Sequence, residues 1–213
     1  MAEQERTISI KRLEALSDGV FAIAITLLVL EISVPSGSRD LLRDVASQWP
    51  SYLAYAVSFA TIGGVWLAHN VITEYLSHAD PPFIRLNLIL LMVVAFLPFP
   101  TRLIAEYIHE ENQERIAATL YGLTLFGSTL LVSLLWNYAL RRGLLEPSAA
   151  AEIRLLTRRL TPSLGGYIML LVLGLFFPVL AVFGYLVVAL NLLVPIRRRR
   201  SQPRKDLSGN TLP

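Results

Sequence analysis

Two carboxylates bracket the first apolar stretch of the chain. In SDGVFAIAITLLVLEIS, residues 17–33, Asp18 and Glu31 leave only twelve uncharged residues between them. A helix rises about 1.5 Å per residue, so these twelve cover about 18 Å, well short of the roughly 30 Å hydrocarbon core of a bilayer. Acids within a membrane segment are costly unless they face protein or water. The two carboxylates are therefore expected to face protein or water.

Asp18 needs a partner, and three candidates are available. The second apolar stretch, YAVSFATIGGVWLAHNVI, carries Trp66 and His69, and Arg12 precedes the first stretch. The Trp66 indole N–H, the imidazole or the guanidinium would each satisfy the carboxylate in a site of low dielectric constant. His69 also has a simpler interpretation, as a histidine at a helix end bonded to a backbone carbonyl. The sequence leaves these alternatives open.

An apolar stripe runs along the first helix. At about 100° per residue, Ile23, Leu27 and Leu30 share one face, Thr26 lies at its edge, and Asp18 points well away from it. One interpretation is that the stripe packs on lipid or on other helices. The other is that it lines a narrow path while the opposite side of the helix holds buried polar anchors.

Several kinds of chemistry find no support in the sequence. The chain has no cysteine, which excludes disulfides and thiolate chemistry. Its three histidines form no HExxH motif and no GxSxG motif is present, so neither an enzyme nor a metal site is predicted. Much of the net charge of +3 comes from basic residues at 197–205. We interpret them as a membrane-surface anchor and predict no nucleic-acid partner.

The elements that carry these residues are membrane helices. The composition is 54% hydrophobic and 16% charged, which indicates an all-α, polytopic membrane protein. Pro98 and Pro100 are expected to break or kink the third apolar segment, and Pro178 to divide the last, 162–195, into two short helices. This gives six transmembrane helices. The first four apolar segments are 13–34, 51–72, 84–107 and 116–140.

The distribution of basic residues predicts the topology. With both termini in the cytoplasm, the inner segments carry 15 Lys and Arg residues and the outer loops carry 4. Such a bias fits an even number of spans in the cell (plasma) membrane. No cleavage site follows the first apolar stretch, so we expect this helix to remain in the mature protein. Residues 1–196 are predicted to form the membrane domain and 197–213 a disordered, basic cytoplasmic tail.

Three stretches together resemble the transmembrane protein 175 family, the lysosomal potassium channels of animals and their bacterial relatives. The first-helix signature of the family is similar to the stretch Arg12-x-x-x-Leu-Ser-Asp-Gly-Val-Phe-Ala-Ile. In this stretch Leu16 replaces the usual phenylalanine of the signature. Ser58-Phe and Trp66-x-x-His69 match the pattern of the second helix, in which Asn70 replaces a second histidine. Asn87 and FLPFPT match the third. The resemblance covers about the first 110 residues.

The resemblance implies a fold and a function. One six-helix repeat per chain implies a homotetramer around a pore for potassium ions, with no cofactor. The first helix would line this pore, with Ile23, Leu27 and Leu30 as hydrophobic constrictions, Thr26 as a polar contributor and Ser58 as support. Glu31 would lie at the outer mouth. The network that anchors the pore helix would consist of Arg12, Ser17, Asp18, Trp66 and His69.

The resemblance also implies a mode of conduction. No TVGYG-like filter is present, so potassium would be preferred moderately, through narrow rings that an ion passes with part of its hydration shell. The conductance is expected to be leak-like. The alternatives are a proton- or cation-coupled secondary transporter that uses Asp18 or Glu31, and a non-catalytic assembly protein. Against the transporter, no inverted repeat is visible in the sequence.

Overall fold

The fold was analysed in a computed structural model, which describes residues 9–32, 40–110, 113–146 and 150–193. Within these ranges the helices are joined by turns and short irregular segments, and one isolated antiparallel bridge pairs Leu76 with Leu145. The tail predicted for residues 197–213 lies outside the described residues. The helices are α1 (Ile10–Leu27), α2 (Leu41–Ser47), α3 (Trp49–Glu74), α4 (Pro81–Phe96), α5 (Pro98–Tyr107), α6 (Gln113–Arg141), α7 (Ala150–Gly174) and α8 (Pro178–Leu193).

Four segments are long and apolar enough to cross a membrane. They are Ile10–Glu31, which joins α1 to a 3-10 turn at Leu28–Glu31, then Trp49–Glu74, Pro81–Tyr107 and Gln113–Arg141. Each coincides with a segment predicted from hydropathy, so the multi-pass membrane fold is confirmed. α8 is a shorter apolar helix of 16 residues.

Prolines divide the chain where the sequence predicts. α4 ends at Phe96 and α5 begins at Pro98, so the third apolar segment is interrupted at Leu97, although this residue keeps a right-handed helical conformation and Pro81–Tyr107 forms one candidate span. α7 ends at Gly174 and α8 begins at Pro178, which confirms two helices in the last apolar segment. α7 continues through Pro162, which therefore does not end it. Proline is well placed in the first turn of a helix, where its missing N–H has no intrahelical partner.

Helix ends on one side of the bundle are held by specific caps. Asp80 Oδ1 accepts a hydrogen bond from Phe83 N at 2.9 Å and caps α4, while its Oδ2 accepts one from Tyr138 Oη at 2.6 Å. Gly143 follows α6 with φ of 64°, a left-handed conformation that glycine adopts freely. These contacts join the start of α4 to the end of α6.

α3 is the central helix of the bundle. It packs against α1, α5, α6 and α8. In its apolar 18-residue stretch, 61% is buried within the chain. Hydroxyl pairs add to this packing: Ser58 Oγ bonds to Thr101 Oγ1 at 2.7 Å and to Tyr121 Oη at 2.8 Å, and Thr61 Oγ1 bonds to Tyr167 Oη at 3.3 Å. Hydroxyl bonds between membrane helices stabilise the bundle in surroundings that offer no water.

Gly122 allows the close approach of α6 and α8, and its substitution is expected to destabilise the bundle. A Cβ atom at this position would overlap the hydroxyl end of Tyr185, a rigid ring that is fully buried. We expect Gly122→Ala to cost about 2 kcal/mol, as overpacked core substitutions do. The readout is the thermal unfolding of the purified protein in detergent.

Gly127 on the same helix supplies the matched control. A Cβ atom there would lie 3.9 Å from Val93 Cγ1, an ordinary van der Waals distance. Because alanine is the better helix former, Gly127→Ala is expected to be neutral or stabilising. Equal melting temperatures for Gly122→Ala and the unmodified protein would show that the close α6–α8 approach is unimportant.

Candidate ion pathway

The stripe predicted on α1 is exposed in the single chain. Ile23 is 61% exposed, Leu27 40% and Leu30 72%. The opposite face of the helix is buried in the bundle through Leu13, Ser17, Phe21 and Ala24. Large apolar side chains aligned on one face are unfavourable in water, so this face needs lipid, another protein chain or a narrow dewetted passage beside it.

α1 is also the least enclosed of the four candidate spans. In the apolar 18-residue stretch of this first span, only 28% is buried within the chain, compared with 61% in the corresponding stretch of α3. The helical neighbours of α1 in the protomer are α3 and α4. The first helix is therefore placed at the edge of the protomer, with its apolar stripe directed away from the protomer core.

The two polar residues predicted near the constriction lie in different surroundings. Thr26 is exposed on α1, and its hydroxyl donates to the carbonyl oxygen of Ile23 at 2.9 Å. Ser58 is fully buried and bonds to Thr101 and Tyr121. Thr26 therefore belongs to the exposed face, whereas Ser58 lies within the bundle and does not bond to Thr26.

Trp66 is the partner that the structure assigns to Asp18. The indole Nε1–H donates to Asp18 Oδ1 at 2.9 Å and joins α1 to α3. Of the three alternatives left open by the sequence, the indole hydrogen bond is the one observed. The carboxylate thus has a neutral donor, and its charge stays at the edge of the protomer, where Asp18 is exposed in the single chain.

A second polar link lies directly beside the first. His69 Nε2 and Asn87 Oδ1 are 2.8 Å apart, and Asn87 Nδ2 donates to Ser17 Oγ at 3.1 Å. Ser17 Oγ in turn donates to the carbonyl oxygen of Leu13 at 2.8 Å. Ser17, His69 and Asn87 are all buried. The link joins α3, α4 and α1 and holds α1 by the side opposite its exposed stripe.

The anchoring network differs in two members from the predicted set. Arg12 is exposed, and its side chain makes no hydrogen bond or ion pair within the described ranges, so it does not bond to the network in the single chain. A long cationic side chain near a helix end reaches water more easily than a buried site. Asn87 joins the network although it was not predicted as a site residue. In the sequence, Asn87 could have been recognised as a single amide among apolar residues in LNLILL.

A double-mutant cycle can test the Asp18–Trp66 bond. We expect Asp18→Asn and Trp66→Phe each to lower the melting temperature by about 3 °C, because each weakens a charge-assisted hydrogen bond between helices. The double variant should lose little more than either single variant, since both changes remove the same bond. Strictly additive losses, or a fully stable Asp18→Asn variant, would contradict this account.

Whereas Asp18 lies in the middle of α1, Glu31 lies beyond the C-terminal end of that helix. It ends the 3-10 turn, is half-buried, and borders a cavity of about 300 Å³. Glu106 and His109 border the same cavity, and Arg102 Nε donates to Glu106 Oε1 at 2.7 Å. The remaining residues that line it are Ser47, Gln48, Pro50, Ser51 and Ala105. This end of the helix therefore opens into a polar recess.

Comparison with known proteins identifies the family. The family model described as endosomal/lysosomal potassium channel TMEM175 matches residues 12–98. A Streptomyces collinus protein named as a potassium channel is 44% identical over 150 residues, covering 69% of this chain and 73% of the relative. A Gallus gallus protein named endosomal/lysosomal proton channel TMEM175 is 33% identical over 154 residues, covering 67% of this chain and 31% of the relative.

A solved structure agrees with the whole fold. The crystal structure described as a lysosomal potassium-selective channel TMEM175 homolog from Chamaesiphon minutus superposes with a TM-score of 0.77 at 36% identity. The match covers 86% of this chain and 95% of the Chamaesiphon chain. It therefore includes the helices beyond the 12–98 segment that the family model matches. The chain belongs to the TMEM175 family, a family of ion channels and not of enzymes.

Proposed function

We propose that the protein is a homotetrameric, moderately potassium-selective leak channel whose constriction is formed by α1. One observation carries the proposal: α1 exposes Ile23, Leu27 and Leu30 along one face while polar bonds hold its opposite face. A helix held in this way presents a fixed apolar surface to whatever lies beyond the protomer. Four such surfaces around an axis form stacked apolar rings.

The rings would select by hydration. An ion that passes a narrow apolar ring sheds part of its water, and potassium loses water at a lower cost than sodium. Ile23, Leu27 and Leu30 supply the three rings, and Thr26 adds a hydroxyl at their edge. Ser58 supports the wall from behind, through its bonds to Thr101 and Tyr121. The selectivity is moderate because apolar rings supply few ligands for a dehydrated ion.

The proposed assembly consists of four copies of a chain with six spans. It lies in the plasma membrane, and both termini of each chain are in the cytoplasm. The excess of 15 inner over 4 outer basic residues supports this orientation. The lipid bilayer is the second partner, and exposed apolar side chains such as Met92 and Val187 suit it. Native mass spectrometry of the protein purified in detergent tests this assembly. The expected species is a tetramer of about four times 23.7 kDa.

Glu31 is proposed to line the outer mouth. Four copies would place a ring of carboxylates at the entrance, and such a ring concentrates cations through its electrostatic potential. Its position at the end of the 3-10 turn that follows α1, beside the polar recess, supports this role. Besides the lipid bilayer, the permeant potassium ion is the non-protein component of the proposal, which includes no cofactor.

A proton-coupled mode is the second candidate. The animal relatives are named as proton channels, and the first span, Ile10–Glu31, carries the carboxylates Asp18 and Glu31. A coupled transporter saturates with its substrate and needs a proton gradient, whereas a leak channel needs neither. The same vesicle experiment separates the two modes.

Flux into proteoliposomes tests the proposal. Vesicles containing the purified protein and a potential-sensitive dye are exposed to potassium or sodium gradients without any pH gradient. We expect an electrogenic flux that is larger for potassium than for sodium. Absence of flux for both ions would overturn the channel proposal, and flux that requires a proton gradient would favour the transporter.

A further inference from the structure

The short helix α2, which precedes the second span, is amphipathic. At about 100° per residue, its apolar side chains lie within an arc of about 140°. They are Leu41, Leu42, Val45 and Ala46. Its polar side chains occupy the remaining arc and are Arg43, Asp44 and Ser47. A helix with this pattern packs its apolar face against another surface.

The chain itself does not cover this apolar face. Leu41 is 66% exposed, Leu42 82% and Val45 36%, and no residue of α2 is buried. Seven residues are too few for a helix that is stable alone in water. Tyr52 Oη donates to the carbonyl oxygen of Val45 at 3.1 Å, which ties α2 to α3 but leaves both leucines uncovered. The apolar face therefore needs a partner outside the protomer.

The position of α2 in the chain places it near the membrane surface. The apolar segment 51–72 covers about 33 Å at 1.5 Å per residue, which is enough for the hydrocarbon core. α2 precedes this segment and therefore begins outside the core, at the level of the lipid headgroups. Gln48 separates α2 from α3 with a ψ of 16°, compared with about −42° in a helix, so the chain bends there. The bend allows α2 to leave the direction of the span.

The surface beside α2 suits lipid. Three aromatic side chains near the start of α3 are exposed at a helical spacing, and they are Trp49, Tyr52 and Phe59. Trp49 also stacks on the exposed ring of Phe183 on α8, with ring centroids 6.2 Å apart. Tryptophan and tyrosine are enriched where a span meets the headgroups. The spacing of Leu41, Val45 and Trp49 continues this apolar face into α2.

We propose that α2 is an interfacial anchor whose apolar face binds the headgroup–acyl boundary of a phospholipid bilayer. Leu41, Leu42 and Val45 enter the boundary, while Arg43 on the opposite face stays in water. The helix carries one arginine and one aspartate, so its own charges cancel. Apolar burial, not attraction to anionic headgroups, therefore provides the binding. This anchoring does not depend on ion conduction.

The anchor lies beside the entrance proposed for the ions. Ser47 and Gln48, at the end of α2, border the same cavity as Glu31. Lipid bound to the apolar face of α2 therefore holds one wall of this recess in place.

Depth-dependent fluorescence quenching tests the anchor. The chain contains no cysteine, so Leu42→Cys and Arg43→Cys each introduce a single thiol, one on each face of α2. Each variant is labelled with the environment-sensitive fluorophore NBD and reconstituted into phosphatidylcholine vesicles. We expect the Leu42→Cys probe to emit at shorter wavelength and to be quenched by lipid that carries a nitroxide near the headgroup. The Arg43→Cys probe should emit as in water and be quenched by iodide.

The other outcomes contradict the anchor in distinct ways. Quenching of both probes by iodide alone would place the apolar face in water and overturn it. A Leu42→Cys probe that neither quencher reaches, with disulfide-linked dimers of the unlabelled variant, would overturn it in favour of a second copy of the chain. A lipid signal that appears only after phosphatidylglycerol is added would show that headgroup charge, and not apolar burial, binds the helix.

Hydrogen exchange gives a readout without a probe. In lipid nanodiscs, the amides of α2 should exchange more slowly in the unmodified protein than in the variant Leu41→Glu/Leu42→Glu, whose altered face cannot enter the boundary. Arg43→Gln changes the opposite face and should keep the protection. Equal exchange in Leu41→Glu/Leu42→Glu and the unmodified protein would contradict the anchor. Absence of potassium flux would instead refute the channel function and leave these results intact.

Discussion

Ile23→Asn should lower the preference for potassium over sodium about fivefold, equivalent to about 1 kcal/mol in the difference between the two barriers. Ile23 is the first apolar side chain of the exposed stripe, and 61% of its surface is free in the single chain. An amide in its place binds water, so the ring of side chains at the constriction becomes hydrated. Potassium and sodium ions then both pass with more of their hydration shells. Reversal potentials under opposing potassium and sodium gradients give the measurement.

The matched control keeps the ring apolar. Ile23→Val removes one methylene without adding a polar atom, and it should retain most of the preference. The total flux should rise in Ile23→Asn and change less in Ile23→Val. Reversal potentials that are the same for Ile23→Asn and the unmodified protein would show that Ile23 does not form the selective ring.

Asn87→Leu is expected to be the most destabilising change in the anchor. It leaves the buried Nε2 of His69 without its hydrogen-bond partner and removes the bond to Ser17, so α1 loses its polar link to α4. Hydrogen bonds between membrane helices contribute about 0.6 to 1.7 kcal/mol each, and a buried polar atom left without a partner adds to the loss. A total of about 2 kcal/mol lowers the melting temperature by about 6 °C.

Leu88 supplies the comparison for this prediction. It is adjacent to Asn87 on α4 but is 48% exposed, so it contributes little to the core. Leu88→Ala should shift the melting temperature by less than about 2 °C. If Asn87→Leu and Leu88→Ala have the same melting temperature, the buried link is not what holds α1.

The sequence predicts the helices and their breaks well because both depend on local properties. Apolar runs identify the four long spans, and prolines end or begin helices by removing an N–H and restricting the backbone. α5 and α8 begin at Pro98 and Pro178 for this reason. Even so, Pro162 lies inside α7, so a proline alone does not determine a break.

The partners of polar residues are predicted less well, since they depend on how helices align with one another. Periodicity places Asp18 opposite the apolar stripe, but three donors were compatible with it, and the indole of Trp66 is the one within reach. Asn87 faces His69 and Ser17 only because α4 packs beside α1 in this register. Arg12 lies close to these residues in the sequence yet remains exposed.

The exposed stripe illustrates a further limit of sequence reasoning. Its existence follows from the spacing of Ile23, Leu27 and Leu30, and the structure confirms that one face of α1 is exposed in the single chain. What covers this face depends on other copies of the chain and on the membrane, neither of which is encoded in the periodicity. The family relationship and the polar anchor support a pore at this face.

Cysteine accessibility is the most direct test of that pore. The chain contains no cysteine, so Leu27→Cys introduces a single thiol on the stripe, and Leu88→Cys introduces one on an exposed face of α4. A water-soluble, cationic thiol reagent is applied to proteoliposomes while potassium flux is recorded, and mass spectrometry confirms labelling. The account predicts that labelling of Leu27→Cys blocks the flux and that Leu88→Cys conducts normally after the same treatment. Complete labelling of Leu27→Cys with unchanged potassium flux would contradict it.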